Sequence, residues 1–475
     1  MNQDILAPAA HTASLKICPK CGHTGPADAR VCKLCLRNIQ DVPAITGTAA
    51  EERLASDEVE ARERSRLLLR RRWRIIVMST IAFVVGLFAV TDNAPSPIVG
   101  TGARSMESTA AATWSGASGG PQGNRATTAA APLLATETWT VSFDSAVVGI
   151  SADAERVYVA LEDSLLVVLD ALTGDEVWSR PVPGRLEEPP TIAGDRVYIS
   201  QRNSRVIAAD AATGEEIWAV MSPDLGFLSS SAVVQDGLVW IAGQQAVFVL
   251  DAESGLLLAT DPFSQRAGTA PVIVEDHLAL ATSGELRLQS LAEAERTYHY
   301  PISIVEQVIG VGPLAVALNE RLMVAARHDE DQHWWEGVTV RLLWTDYHVR
   351  GLLPEPPLPR REWIVELPAP PYAPAADGTR VFVADTDGRV RAYRGADGTL
   401  LWEDAAAGAT AAPVLTADGL LVPAGDELVL FDAGSGEELS RIDLPAAVNT
   451  LIVTEGGTYA GTAVGRDSGS VIALR

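Results

Sequence analysis

The chain has 475 residues, 47% of them hydrophobic, and a formal net charge of -24. That excludes a wholly disordered chain and is too much for one ordinary small domain. Residues 1–90 hold 13 Lys and Arg against 9 Asp and Glu, leaving 24 against 52 beyond them; this acidic part excludes nucleic acid as its partner, because phosphate binding needs a basic surface.

In chain order, residues 1–15 carry no pattern and are expected to be disordered. Residues 16–40 hold all four Cys, as Cys18-Pro-Lys-Cys21 and Cys32-Lys-Leu-Cys35. Two CxxC knuckles can each bring two thiolates to one tetrahedral Zn²⁺, so Cys18, Cys21, Cys32 and Cys35 are the expected metal ligands, and His23 is not needed. A segment this small buries little, so the metal would supply its folding energy. It resembles the short zinc ribbons at the N-termini of many bacterial membrane proteins. A redox use of the pairs is the alternative, without a thioredoxin-like pattern around them. Beyond residue 35 there is no thiol, so the rest must stand on packing.

Residues 49–74 read as a charged juxtamembrane helix, with Glu58 to Arg62 and Glu60 to Arg64 spaced as i,i+4 pairs. The uncharged apolar run that follows reads as a transmembrane helix over 75–91. Arg70, Arg71, Arg72 and Arg74 before it place the N-terminus in the cytoplasm and the remainder outside, as a single-pass protein of the cytoplasmic membrane. Residues 92–135, rich in Ala, Ser, Thr, Gly and Pro, are expected to form a disordered linker.

From 137 onward one turn recurs. Asp170-Ala-Leu-Thr-Gly174 with Trp178 returns as Asp210-Ala-Ala-Thr-Gly214 with Trp218, and as Asp251-Ala-Glu-Ser-Gly255 with Ala259 in the Trp position. Weaker copies place Gly398 before Trp402 and Asp432 before Gly436. The Asp accepts bonds from backbone N–H groups just after it, and the Gly takes the positive φ that reverses the chain. A period near 40 residues marks a repeat array, and the recurring Trp is read as packing between neighbouring sheets. Phase markers at Trp178, Trp218, Ala259, Tyr298, Trp363, Trp402 and Ser440 count seven units. The C-terminal strands and Glu137–Phe143 complete an eighth. The expected fold is therefore all-β, an eight-bladed β-propeller over 137–475 closed by N- and C-terminal strands, beside the small zinc ribbon and the transmembrane helix.

The repeats resemble the propeller family with pyrroloquinoline-quinone-like repeats, on Asp170, Gly174, Trp178, Asp210, Gly214, Trp218, Asp251, Gly255, Trp402 and their counterparts. The resemblance implies fold, and structural roles for those residues; relatives range from quinoprotein dehydrogenases to barrel-assembly lipoproteins. The dehydrogenases hold the quinone against a disulfide of adjacent Cys, which this sequence lacks, so no pyrroloquinoline quinone is expected.

One unit is irregular. Pro313–Leu318 and Arg321–Val324 read as its first two strands and Val338–Trp344 as its third, with long connections on either side. Trp334, Trp335, Trp344 and Tyr347 make this region dense in aromatic side chains, which anchor protein interfaces, and they are the candidate interaction residues. The expected function is a non-enzymatic scaffold or assembly factor of the bacterial cell envelope that binds other envelope proteins. The alternatives are a transmembrane sensor with a ligand on the propeller and, third, a quinone-dependent oxidoreductase.

Overall fold

The computed structural model describes residues 14–33, 37–50, 52–53, 55–56, 114–131 and, with interruptions of which 328–337 is the longest, 137–475. The chain divides into two compact units, Met1–Ala94 and Pro95–Arg475.

In the first unit a three-stranded sheet runs in the order Thr24–Pro26, Ser14–Ile17, Ile45–Thr46. Its buried cluster is little more than Cys18, Cys32 and Ile39. The Lys16 ammonium is also inside, donating to the carbonyls of Gln40 at 2.9 Å and Ile39 at 3.3 Å. So small a core needs a further source of stability. Helical residues appear at 48–50, and the rest of the expected 49–74 helix lies mostly outside the described residues, as do 1–13 and 75–91.

Among the described residues no helix is long and apolar enough to cross a membrane. This corrects the expectation of single-pass anchoring in the cytoplasmic membrane, which rested on an apolar run and its flanking Arg residues alone.

Among the described residues the second unit contains eight four-stranded antiparallel sheets. Their first strands are Val147–Ala152, Thr191–Ala193, Val233–Gln235, Val272–Val274, Gln307–Val311, Ala375–Ala376, Val414–Leu415 and Val448–Thr454. In the first seven sheets the four strands are consecutive. In the eighth, Ser468–Leu474 pairs with Glu137–Phe143, so strands from both ends of the unit share a sheet. Middle strands such as Leu165–Asp170 (LLVVLD) are buried over most of their length, because sheets cover both of their faces. Fourth strands such as Glu216–Met221 alternate between exposed and half-buried positions, as an outer edge should.

Apolar side chains fill the space between successive sheets. Tyr158, Leu166 and Val168 of the first sheet meet Ile192, Val197 and Ile199 of the second. One further cluster joins Leu421 and Leu430 of the seventh sheet, Leu451 and Ile472 of the eighth, and Val157 and Leu169 of the first.

The repeated turn has the geometry its residues call for. The Asp170 carboxylate accepts from the N–H groups of Leu172 and Thr173, both at 2.9 Å. Gly174 has φ +76°, and the Trp139 ring lies where a Cβ would stand, 2.7 Å from it. The Trp139 indole donates to the carbonyl of Ala171 at 3.2 Å. The same lock, a Trp from one sheet on the turn Gly of the next, repeats as Trp178 on Gly214, Trp218 on Gly255, Trp363 on Gly398 and Trp402 on Gly436.

Two expectations are corrected here. The irregular sheet starts with Gln307–Val311; Leu314–Leu318 and Leu322–Arg327 are its second and third strands, and Trp363–Glu366 its fourth. Val338–Val349 is an α-helix inserted between the third and fourth strands. Its Val and Leu content suits a strand, but Trp363–Glu366 takes the only edge that Leu322–Arg327 offers, so tertiary context overrides propensity. The second correction concerns the linker: residues 114–131 are ordered against the sheets, with Trp114 1% exposed.

Candidate functional site

The thiol site of the first unit is built on two knuckles. Gly22 N–H closes the first on the carbonyl of Cys18 at 2.8 Å, and Cys32 N–H closes the second on the carbonyl of Arg37 at 2.9 Å. The structure brings together three of the four expected ligands: the Sγ atoms of Cys18, Cys21 and Cys32 lie within 4.8 Å of one another. Three sulfurs converging in this way can hold a metal ion, and an all-thiolate set suits Zn²⁺. Cys35 lies outside the described residues.

Of the four aromatic candidates, Trp344 and Tyr347 stand three residues apart on the inserted helix, half-buried, while Trp334 and Trp335 lie outside the described residues. The Trp344 indole donates to the carbonyl of Pro354 at 2.9 Å, folding the segment after the helix back along it. This arrangement presents Val349, Leu352 and Leu353 to solvent at 79%, 50% and 43% exposure. These three aliphatic residues were missed in the sequence; only the neighbouring aromatics signalled the place.

A third site has no counterpart in the sequence analysis. The segment from Trp114 to Ala129 runs along the first strands of the sheets. Its carbonyls at Trp114, Ser115, Pro121, Gln122, Asn124 and Arg125 accept, in order, the N–H groups of Ala152, Ile192, Ile273, Gly310, Ala376 and Leu415, at 2.8 to 3.1 Å. Each of these donors occupies the same place in its sheet, one residue before the pair that closes the first turn. Chain that runs through so narrow a space must be small: a Cβ on Gly123, whose φ is +62°, would lie 2.7 Å from Val272. The abundance of Gly, Ala and Ser that reads as a flexible tether is therefore a steric requirement.

Arg125 anchors this segment. It is 6% exposed and donates to the carbonyls of Pro413 at 3.0 Å, Ala117 at 3.1 Å and Leu451 at 3.0 Å, tying the seventh sheet to the eighth. Its guanidinium lies 5.3 Å from the centre of the Trp114 ring. Burial lowers its pKa to about 10, so it remains a cation at neutral pH.

Between the segment and the second to sixth sheets lies a cavity of about 300 Å³. Among the described residues, Arg125 is the only basic one in its wall, which also holds Glu188 and Glu306. A tricarboxylic quinone would need cations there, and the one available is committed to three carbonyls. These residues do not fit it.

The fold and these sites define a propeller-type all-β protein. A family model described as outer membrane protein assembly factor BamB matches residues 124–334 and again 304–447, and the chain belongs to that family. The solved structure of the computationally designed Ika8 protein is similar with a TM-score of 0.54 at 14% identity, over 71% of this chain and 99% of Ika8. Quinohemoprotein alcohol dehydrogenase ADHIIG from Pseudomonas putida HK5 gives 0.54 at 12% identity, over 77% and 80%. BamB from Moraxella catarrhalis is 16% identical over 71% of this chain and 97% of its own, with a TM-score of 0.37. Likeness at these identities speaks to fold alone. No curated protein matches the sequence.

Proposed function

We propose that the chain is a non-enzymatic protein-binding scaffold of envelope assembly, its eight sheets forming the blades of one propeller closed by the strand Glu137–Phe143. Family membership supports the task, and the apolar core shared by the seventh, eighth and first sheets supports the closure. The observation that carries the protein-binding reading is the inserted helix with Val349, Leu352 and Leu353 exposed beside Trp344 and Tyr347. Aliphatic side chains standing in water next to aromatic anchors are what a partner would cover. Against an oxidoreductase stands the poor fit of the cavity to the quinone.

A photo-crosslinking residue in place of Leu353 tests the reading in cells. The expected captures are components of envelope assembly, and Val349→Ser with Leu352→Ser abolishes them while the protein melts as before. Captures that persist unchanged in that variant would overturn the helix as the contact surface.

We also infer that the first unit binds one Zn²⁺ through Cys18, Cys21, Cys32 and Cys35. Chelation is expected to unfold residues 14–46 and leave the melting of the second unit unchanged; a second unit that melts earlier after chelation would refute this independence.

A further inference from the structure

Lys16 stands in the middle strand of the first unit's sheet, Ser14–Ile17, which leads directly into the first cysteine knuckle. It is 9% exposed, and lysine is rarely buried unless something holds its ammonium. Three carbonyls do so: those of Ala29 at 3.4 Å, Ile39 at 3.3 Å and Gln40 at 2.9 Å, one for each N–H that an ammonium carries. Ala29 precedes the second knuckle, and Ile39 and Gln40 follow it. A single cation therefore grips both legs of the loop that carries Cys32. The legs are joined to each other by Ile39 N–H on the carbonyl of Arg30 at 2.8 Å and by Cys32 N–H on that of Arg37 at 2.9 Å. Among the described residues, however, no backbone hydrogen bond joins one knuckle to the other. The apolar contact between them is little more than Cys18, Cys32 and Ile39. The Lys16 ammonium is the polar tie that sets the second knuckle against the strand of the first, and across that junction Cys21 Sγ and Cys32 Sγ lie 3.6 Å apart.

We propose that Lys16 is a positioning residue of the metal site, holding the two knuckles in the geometry for one ion before the ion arrives. It donates three bonds and ligates nothing, so it works only through the loop of Cys32. An ion that meets an assembled site does not have to offset the entropy of assembling it. An ammonium suits this task because it is a compact charge whose three donors converging carbonyls can share. The inference rests on the reading of the first unit as binding one Zn²⁺ and adds the residue that prepares the site for it.

The test measures the Zn²⁺ affinity of the full chain by competition with a chromophoric chelator, and the ligand set by the absorption spectrum of the Co²⁺ form. Lys16→Met keeps the length of the side chain and removes its donors. Affinity falls about thirtyfold, the effect of losing a charge-assisted hydrogen bond inside the unit. At saturation the Co²⁺ spectrum matches that of the parent, because every sulfur is still present. Lys16→Arg returns charge and donors and binds more tightly than Lys16→Met. Lys20→Met, at an exposed position within the first knuckle, removes the same charge and leaves affinity unchanged. Equal affinity in the parent and Lys16→Met, an equal loss in Lys20→Met, or a Co²⁺ spectrum that changes at saturation each overturns the positioning role. If Lys16→Met takes up no ion, Lys16→Arg carries the test, and an Arg variant equally unable to bind overturns it as well. A parent chain that binds no Zn²⁺ refutes the metal site itself and the proposal with it, so the two failures are told apart.

Discussion

The second sheet meets the third through Trp218, whose ring covers Gly255 and whose indole N–H reaches the carbonyl of Ala252 at 3.1 Å. The third sheet meets the fourth differently. Ala259 stands in the Trp position, and two residues on, Asp261 pairs with Arg287 of the fourth sheet at 2.7 Å, both below 10% exposure. One contact is an aromatic plate on a bare backbone; the other is a buried ion pair. A propeller contact thus requires a filled space and satisfied polar groups, not one particular residue. The ionic contact, however, depends on both partners at once.

That contrast can be broken from several sides. The largest effect is expected from deleting residues 114–131, since the inner segment bonds to sheets on both sides of the ion pair. Nine backbone bonds join it to the rest of the unit, and at about 1 kcal/mol each they put the loss at about 9 kcal/mol, comparable to the whole stability of many domains. Urea unfolding of the deletion variant measures it, and a midpoint within experimental scatter of the parent would remove the segment from the list of structural elements. The folding unit accordingly starts at or before Trp114, not at Glu137.

Asp261→Ala leaves the Arg287 cation buried and is expected to cost about 4 kcal/mol. If calorimetry shows a loss no greater than that of an exposed pair, the contact between the third and fourth sheets is solvated and the comparison fails.

Gly214→Ala sharpens the aromatic side. A Cβ there would lie 2.7 Å from the Trp178 ring, at a φ of +71°. Gly425 has a similar φ of +72° with open space around it, so Gly425→Ala isolates the backbone term. Expected losses are about 3 kcal/mol for Gly214→Ala and about 1 kcal/mol for Gly425→Ala, the difference being the collision with the ring. Equal losses would mean that the ring moves aside freely.

The smallest effect concerns pH. Backbone hydrogen bonds from Thr173 and Thr213 hold the carboxyls of Asp170 and Asp210 below the usual aspartate range. A depressed folded-state pKa contributes stability above the unfolded value of about 3.9, and that contribution fades as pH falls through the folded value. Melting temperature should therefore drop below about pH 4. The drop should be shallower in the Asp170→Asn and Asp210→Asn double variant. Both carboxylates are exposed, so the change is small, and an identical pH profile in the variant would assign the acid loss to other groups.

The sequence by itself determined the repeat, because each Asp-x-x-Thr-Gly turn and each Trp satisfies its needs within a fixed distance along the chain or on the adjacent unit. It also determined the two cysteine knuckles, whose spacing is local geometry, and it marked the irregular sheet through its aromatic density. Tertiary structure alone decided three things. Whether Val338–Val349 is a strand or a helix depended on which segment took the edge beside Leu322–Arg327. Whether residues 114–131 are tether or structural core depended on backbone partners scattered from Ala152 to Ala417, since a small-residue composition suits either. The cavity between that segment and the second to sixth sheets exists only once the segment lies along them. Backbone groups carry no sequence signature, so a site made from them becomes visible only when distant strands are brought around one space.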